Sequence, residues 1–379
     1  LYVVSGSNDR AYIISQSFNG SIDNVSVKEV LGQEVVPNSG CGSWLLEPQS
    51  TNLITQSELF SDSSWNKVNS SAVSGFNSPS ENLTAHKLIP SATASVNKYI
   101  FTNNNTATSG IDYSLSVFAK KGEYDKLRIE DGNNSQGAWF DLSNGTLGTV
   151  GGSVVAKIED YGNGWYRCSI TKPSITTGIF FAIVGSNIES IQVGDGTSGI
   201  YIWGAMLEQN SYPTSYIPTQ GATSTRLQDI ANNSGNASLI NSESGVLYAE
   251  ISALDESQPV TTISISNQSL SNRVLIALTS GELRGQFVSS TDNTTKNTSG
   301  VVIENFNKIA CSYTGTTFKV FVNGLQIGTT STISSALVGI TEVAFDRGDG
   351  NLAFLGKTKA LAVFKTALTD EQLTLLTTI

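Results

Sequence analysis

The sequence predicts an all-β fold: tandem β-sandwich modules of the jelly-roll type, followed by one short C-terminal helix. Short segments in which apolar and polar residues alternate recur along the chain, for example at 113–119, 166–170 and 246–251. Gly, Asn and Asp turns separate these segments, and regular short strands joined by such turns are typical of a sandwich. The composition agrees, because Ser, Thr, Asn and Gly dominate while only 14% of the residues are charged.

The length and two shifts in composition predict the domain organisation. A chain of 379 residues is too long for one compact domain. The strand pattern breaks near residues 30–43 and again in the polar, Gly-rich stretch 219–245. We therefore expect the C-terminal remnant of a preceding sandwich at 1–30, a jelly-roll module at 31–228 and a second sandwich at 229–379. Because the chain opens at Leu1 inside an apolar stretch, we expect a piece of a longer polypeptide.

Two local signals stand out in the last module. In residues 318–322, Phe318, Val320 and Val322 alternate with Lys319 and Phe321. Asn323-Gly324 then supplies the two positive-φ residues of a type I′ hairpin turn. Near the end of the chain, Thr369 or Asp370 can cap a helix. The apolar face of this helix is expected from Leu373, Leu375 and Leu376.

Several strings of the chain resemble known modules. The segments 45–67 (LLEPQSTNLITQSELFSDSSWNK), 162–171 (GNGWYRCSIT) and 199–226 (GIYIWGAMLEQNSYPTSYIPTQGATSTR) resemble a module of bacteriophage tail-fibre and virion-surface proteins. That module is similar to the jelly-roll carbohydrate-binding modules of polysaccharide-degrading enzymes. Segments 318–329 (FKVFVNGLQIGT) and 354–376 resemble the laminin-G-like, concanavalin-A-like lectin sandwich. One fold hosts many functions, so these strings imply the fold more firmly than the ligand.

Net charge and hydropathy exclude two classes of partner. The net charge is −10, and the longest basic cluster is Lys120-Lys121. A phosphate-binding surface needs clustered Lys and Arg, so we expect neither nucleic acid nor anionic membrane as a partner. No run reaches the roughly 18 apolar residues that a membrane span requires.

The three cysteines are far apart in the sequence, at Cys41, Cys168 and Cys311. An odd and widely spaced set is neither a disulfide framework nor a zinc site. We expect three small, buried, inert thiols.

Catalytic motifs are missing from the sequence, and we predict that the protein is not an enzyme. His86 is the single histidine, and its alternation with Leu83 and Ala85 predicts that it points outward from a strand. Glycoside hydrolysis needs two carboxylates. Glucanases of the concanavalin type usually carry them as E-x-D-x-x-E, and the nearest string, 123–131, has Arg128 where the last acid belongs.

Aromatic residues are the more promising feature, because the flat C–H faces of sugars stack on Trp and Tyr. Alternation places Trp139 opposite the apolar side of its strand, and it does the same for Trp165 and Arg167. We predict that Trp139, Trp165 and Arg167 line one outer sheet face, beside Tyr201 or Trp203, and that this face, including Tyr201, binds a glycan. The alternative is that the tryptophans are packed inside the sandwich.

The resemblance also implies a structural calcium ion, since such modules often bind one through an Asp and backbone carbonyls. The candidate ligands are Asp23 in the predicted remnant 1–30, and Asp346 and Asp349 in the string FDRGDGN at 345–351. The alternative for the second pair is an ordinary Asp-Gly turn.

Together these features predict a non-catalytic tail-fibre or virion-surface protein that recognises host-surface polysaccharide. The expected location is the virion surface or the extracellular space. By analogy with fibres we expect a homo-oligomer, namely a trimer, in contact with other virion proteins. Two alternatives remain open: a structural capsid decoration or spacer, and the accessory glycan-binding part of a secreted bacterial polysaccharide-degrading enzyme or adhesin.

Overall fold

The computed structural model describes residues 42–93, 97–102, 108, 110–130, 136–173, 179–183, 189, 193–256 and 259–379. The predicted remnant at 1–30, and with it Asp23, lies outside the described residues, as does Cys41. The described part is all-β with one short helix, which confirms the predicted fold class. None of its helices has the length and hydrophobicity of a membrane span.

The strands are numbered in chain order. The first fifteen are β1 (Trp44–Leu46), β2 (Ser50–Asn52), β3 (Asn66–Val68), β4 (Ser70–Phe76), β5 (Ala85–Pro90), β6 (Tyr99–Thr102), β7 (Asp112–Lys120), β8 (Lys126–Glu130), β9 (Gly137–Asp141), β10 (Thr146–Gly151), β11 (Val155–Asp160), β12 (Trp165–Pro173), β13 (Ile179–Ile183), β14 (Ile200–Glu208) and β15 (Ser224–Arg226). The others are β16 (Gly245–Ser252), β17 (Thr261–Ser266), β18 (Arg273–Thr279), β19 (Glu282–Val288), β20 (Asn293–Ser299), β21 (Asn307–Tyr313), β22 (Thr317–Val322), β23 (Leu325–Gln326), β24 (Ser331–Thr332), β25 (Glu342–Ala344) and β26 (Gly356–Phe364), followed by the helix α1 (Asp370–Thr377).

The first sandwich consists of two antiparallel sheets. Sheet 1 has the order β11-β12-β7-β14-β5-β4, and sheet 2 has the order β10-β9-β8-β13-β6-β3. Their inner faces enclose a core that includes Leu115 and Val117 of sheet 1 and Ile129 and Phe140 of sheet 2, all of them fully buried. The short pair β2–β15 ties the end of this module to its beginning.

The second sandwich is built in the same way. Sheet 3 has the order β1-β26-β16-β21-β22-β23, with β24 paired to β22, and sheet 4 has the order β20-β19-β18-β17-β25. Leu247 and Phe318 of sheet 3 pack against Ile263 and Phe287 of sheet 4. The buried thiol of Cys311 belongs to this core and that of Cys168 to the first, and burial raises the pKa of both thiols.

Strand β1 joins sheet 3, although it precedes the first sandwich in the chain. Trp44 is paired with Thr358 and Leu46 with Gly356, both in β26. Directly after β1, the Glu47 carboxylate lies 3.3 Å from the Arg226 guanidinium, which also pairs with Asp229. The chain therefore crosses from the second sandwich to the first after Leu46, and an ion-pair group lies at the crossing.

Both local signals of the last module are confirmed. Asn323 and Gly324 have φ values of 49° and 83°, as a type I′ turn between β22 and β23 requires. Thr369 caps α1 in a capping box with Gln372.

The predicted apolar face of the helix is wrong at one position. Leu373 is fully buried against Val246 and Tyr248 on the outer face of sheet 3, whereas Leu375 is 79% exposed. Two residues span about 200° around a helix, so Leu375 points to the side opposite Leu373.

Candidate functional site

An open cleft of about 590 Å³ lies at one end of the first sandwich. Three separate chain segments form it: the turn after β2, the β4–β5 hairpin and the segment before β15. Its polar lining consists of Gln56, Glu58, Ser74, Thr84, His86, Thr219 and Gln220, and its apolar lining of Leu59, Leu83 and Pro218. We refer to these residues as the cleft.

Backbone pairing holds two of the three segments together. An isolated antiparallel bridge joins Gln56 to Gln220. Ser57 and Thr219, both buried, are doubly connected: the Ser57 N–H donates to Thr219 Oγ1 at 3.0 Å, and the Thr219 N–H donates to Ser57 Oγ at 2.8 Å. Gln56 and Gln220 therefore lie next to each other on one wall, whose backbone is held in place.

Glu58 is positioned by a tyrosine. The Tyr216 hydroxyl donates to Glu58 Oε1 at 2.9 Å and lies 2.7 Å from Ser57 Oγ. Burial raises the pKa of Tyr216, so the phenol stays protonated and remains a donor. The hydrogen bond holds the carboxylate in place, and among the described residues no hydrogen bond to its second oxygen is present.

His86 is buried at the cleft, and the prediction that it points outward is wrong. It is only 2% exposed, and its ring packs edge-on against Phe60 at 5.7 Å between centroids. The strand begins at Ala85, so the exposed Leu83 does not define its apolar side. Leu88, which is fully buried, follows His86 by two residues, so the two side chains point to the same inner face of the strand.

The His86 ring lacks a full set of hydrogen bonds. Nε2 is 3.4 Å from Ser61 Oγ, and among the described residues Nδ1 has no hydrogen-bond partner. Burial lowers the pKa of His86, with partial opposition from the Thr84 backbone. The ring is therefore neutral near pH 7, and its Nδ1 is buried too deeply to contact a ligand directly.

Trp165 and Arg167 lie on the outer face of sheet 1, opposite the core residues Cys168 and Ile170, as alternation predicts. They are not open to solvent, however, being 2% and 3% exposed. Trp165 belongs to a second apolar cluster with Phe118 and Trp203.

The remaining contacts of this cluster explain its role. The Arg167 guanidinium lies over the Phe118 ring at 5.4 Å and donates to Ser116 Oγ at 3.1 Å. Trp203 Nε1 donates to Thr84 Oγ1 at 2.9 Å, and the Trp203 ring is 4.4 Å from that of Tyr216. The cluster therefore positions two lining residues of the cleft. Trp203 donates to Thr84, and Tyr216, which packs against Trp203, donates to Glu58.

Trp139 does not share a face with Trp165, so the prediction of one common surface is wrong. Trp139 is in β9 of sheet 2, opposite the core residues Ala138 and Phe140, whereas Trp165 is in sheet 1. It is 7% exposed, with the Arg128 guanidinium 5.5 Å from its ring. Tyr201 remains on the outer side of sheet 1, partly exposed and 5.0 Å from the Phe76 ring.

The turn at 345–351 does not fit a calcium ion. Arg347 donates to both carboxylate oxygens of Asp349, at 3.1 and 2.7 Å, and this pairing lowers the Asp349 pKa to about 2. The buried Asp346 accepts from the Gly348 N–H at 2.5 Å. A hard cation needs oxygens that are not already bound to a guanidinium. Among the described residues, no group of three or more His, Cys, Asp or Glu could hold a metal ion.

No protein-family model matches the chain. No curated protein matches it either. Among solved structures, the carbohydrate-binding module CBM40 of the Ruminococcus gnavus IT-sialidase bound to α2,3-sialyllactose is 18% identical, with a TM-score of 0.31 over 36% of this chain and 84% of that one. Domains LG4-5 of the mouse laminin α1 chain are 9% identical, with a TM-score of 0.28 over 79% of this chain and 95% of that one. Similarities at this level assign neither a family nor a ligand to the chain.

Proposed function

We propose that this chain is a non-catalytic glycan-recognition protein and that the cleft of the first sandwich is a binding site. The observation that carries the proposal is the composition of the cleft: two glutamine side chains, a carboxylate held by Tyr216, and hydroxyls beside an apolar rim. Planar polar groups match the paired hydroxyls of a sugar, and apolar side chains match its C–H faces. The volume of about 590 Å³ suits a short glycan segment.

The lining supports binding rather than glycoside hydrolysis. Hydrolysis by the usual mechanism needs two carboxyl groups across the scissile bond. Of the described lining residues, Glu58 alone carries a carboxylate, and Tyr216 already holds one of its oxygens.

The biological setting follows from the sequence resemblance to tail-fibre modules. We propose a virion-surface or extracellular protein that contacts host-surface polysaccharide and assembles as a homo-oligomer with other virion proteins. An open site of this size binds weakly, and repetition on one particle raises avidity by about 10² to 10⁴. A structural calcium ion, with Asp23 as the candidate ligand, is part of the same proposal.

A glycan array probed with the full chain tests the function. The double variant Gln56→Ala, Gln220→Ala should lose at least about tenfold in affinity, since both amides are removed while the backbone bridge remains. Gln49→Ala is the matched control, because Gln49 is exposed outside the cleft. Equal binding by the double variant and the parent would contradict the site. A folded parent that binds no glycan would favour the spacer alternative.

A further inference from the structure

The charges around the cleft restrict the sugars that it can bind. Among the described lining residues, Glu58 carries the only formal charge. His86, buried and neutral, adds no positive charge. A carboxylated sugar in the cleft would therefore face a fixed negative charge, with no cation among the described lining residues to compensate it.

The ammonium group of Lys67, a cation near the cleft, already donates three hydrogen bonds within the protein. Lys67 lies near His86, because both contact Ser61: the Lys67 ammonium donates to the Ser61 carbonyl, and the Ser61 hydroxyl is 3.4 Å from His86 Nε2. Its ammonium group donates to the carbonyl oxygens of Ser61, Asp62 and Trp65, at 3.0, 2.7 and 2.8 Å. These three bonds use all three N–H groups of the lysine, so none remains for a ligand carboxylate.

The groups that remain are suited to uncharged hydroxyls. The second oxygen of Glu58 can only accept, and the side-chain amides of Gln56 and Gln220, which line the same cleft, can both donate and accept. A hydroxyl that donates to the carboxylate and accepts from an amide satisfies both groups. The exposed side chains of Leu59 and Leu83 offer an apolar surface to the ring C–H groups.

We infer that the cleft selects uncharged sugar residues and excludes carboxylated ones, with Glu58 as the residue that determines this specificity. The inference rests on the glycan-binding function proposed above. It is independent of which neutral sugar binds, because it concerns the charge of the ligand.

The test uses pairs of ligands that differ only at C6 of the sugar: uronic-acid-containing oligosaccharides, and the same oligosaccharides after reduction of the carboxylates to primary alcohols. Calorimetric titration of the full chain should show at least tenfold tighter binding of the reduced member at low salt, and a smaller difference at 0.5 M salt. In Glu58→Gln, which preserves shape and removes the charge, the discrimination should fall several-fold because the acidic member binds better.

The control variant is Glu304→Gln, an exposed glutamate of the second sandwich, which should discriminate as the parent does. Equal or tighter binding of the acidic member by the parent overturns the inference and leaves the glycan-binding function intact. Unchanged discrimination in a folded Glu58→Gln variant overturns the role of Glu58. If neither member of any pair binds, the proposed function fails, and the inference fails with it.

Discussion

Replacing Trp165 by Ala separates a ligand-binding role of this residue from a packing role. The side chain is 2% exposed and packs with Phe118, Trp203 and Ala85 on the outer face of sheet 1. A buried tryptophan removes about 150–250 Å² from water, which at about 25 cal/mol per Å² is worth up to about 4–6 kcal/mol. Measured losses for such truncations are about 3–5 kcal/mol, and we expect Trp165→Ala to lose this amount of unfolding free energy.

The matched control is Trp44→Ala, the same chemical change at a side chain that is 53% exposed. We expect its effect to stay within about 0.5 kcal/mol. Urea unfolding followed by far-UV circular dichroism measures both variants without depending on tryptophan fluorescence, and the two sandwiches are fitted as separate transitions. A Trp165→Ala variant that keeps its stability but loses glycan binding would refute the packing role and restore the surface site predicted from the sequence.

Three further predictions concern buried groups. Burial raises the pKa of Glu208 above 4.5, so ionisation of this carboxyl group at higher pH lowers the unfolding free energy of the parent. When the pH is raised from about 4.5 to about 7, Glu208→Gln should therefore lose less unfolding free energy than the parent loses. Equal losses in urea titrations at the two pH values would contradict this. Arg273→Met should raise the unfolding free energy by about 1–3 kcal/mol, because Nε and Nη1 of this 8%-exposed guanidinium have no hydrogen-bond partner in the described part of the chain. A lower melting temperature of the variant would count against this prediction. Gly285→Ala should lower the unfolding free energy by about 1–3 kcal/mol, because the new Cβ would lie 2.5 Å from Val320 Cγ2 and 2.7 Å from Cys311 Sγ. The double variant Gly285→Ala, Val320→Ala should lose less unfolding free energy than the sum of the losses of the two single variants.

Local signals in the sequence predicted the fold where short-range chemistry decides the conformation. The turn at Asn323-Gly324 follows from the ease with which these two residues take positive φ, and the helix start at Thr369 follows from its capping side chain. Pairing between distant strands could not be predicted in the same way. Strand β1 has three residues and carries no pattern that assigns it to sheet 3 rather than to the sandwich that follows it.

Alternation also predicted which side of a strand a residue occupies, but not what covers that side. Trp165 and Arg167 do lie opposite the core. Trp165 is buried by neighbours that include Trp203 and Tyr216, which lie further along the chain. The pattern of β14 is also interrupted by a bulge between Trp203 and Met206, where Gly204 has a φ of 63°. Nor can the period of one strand reveal that Trp139 belongs to the other sheet.

The cleft could not be recognised from the sequence, because its walls come from residues 56–59, 74–86 and 218–220. None of these segments contains a motif. The last one adjoins the polar, Gly-rich stretch 219–245, whose composition predicts a boundary between domains. Yet Thr219 and Gln220 form part of the cleft wall, and β15 pairs with β2 a few residues later. One wall of the cleft and the closing strand of the first sandwich are thus built from residues whose composition resembles a linker, so a fragment that ends before Pro218 would keep both sheets and lose one side of the cleft.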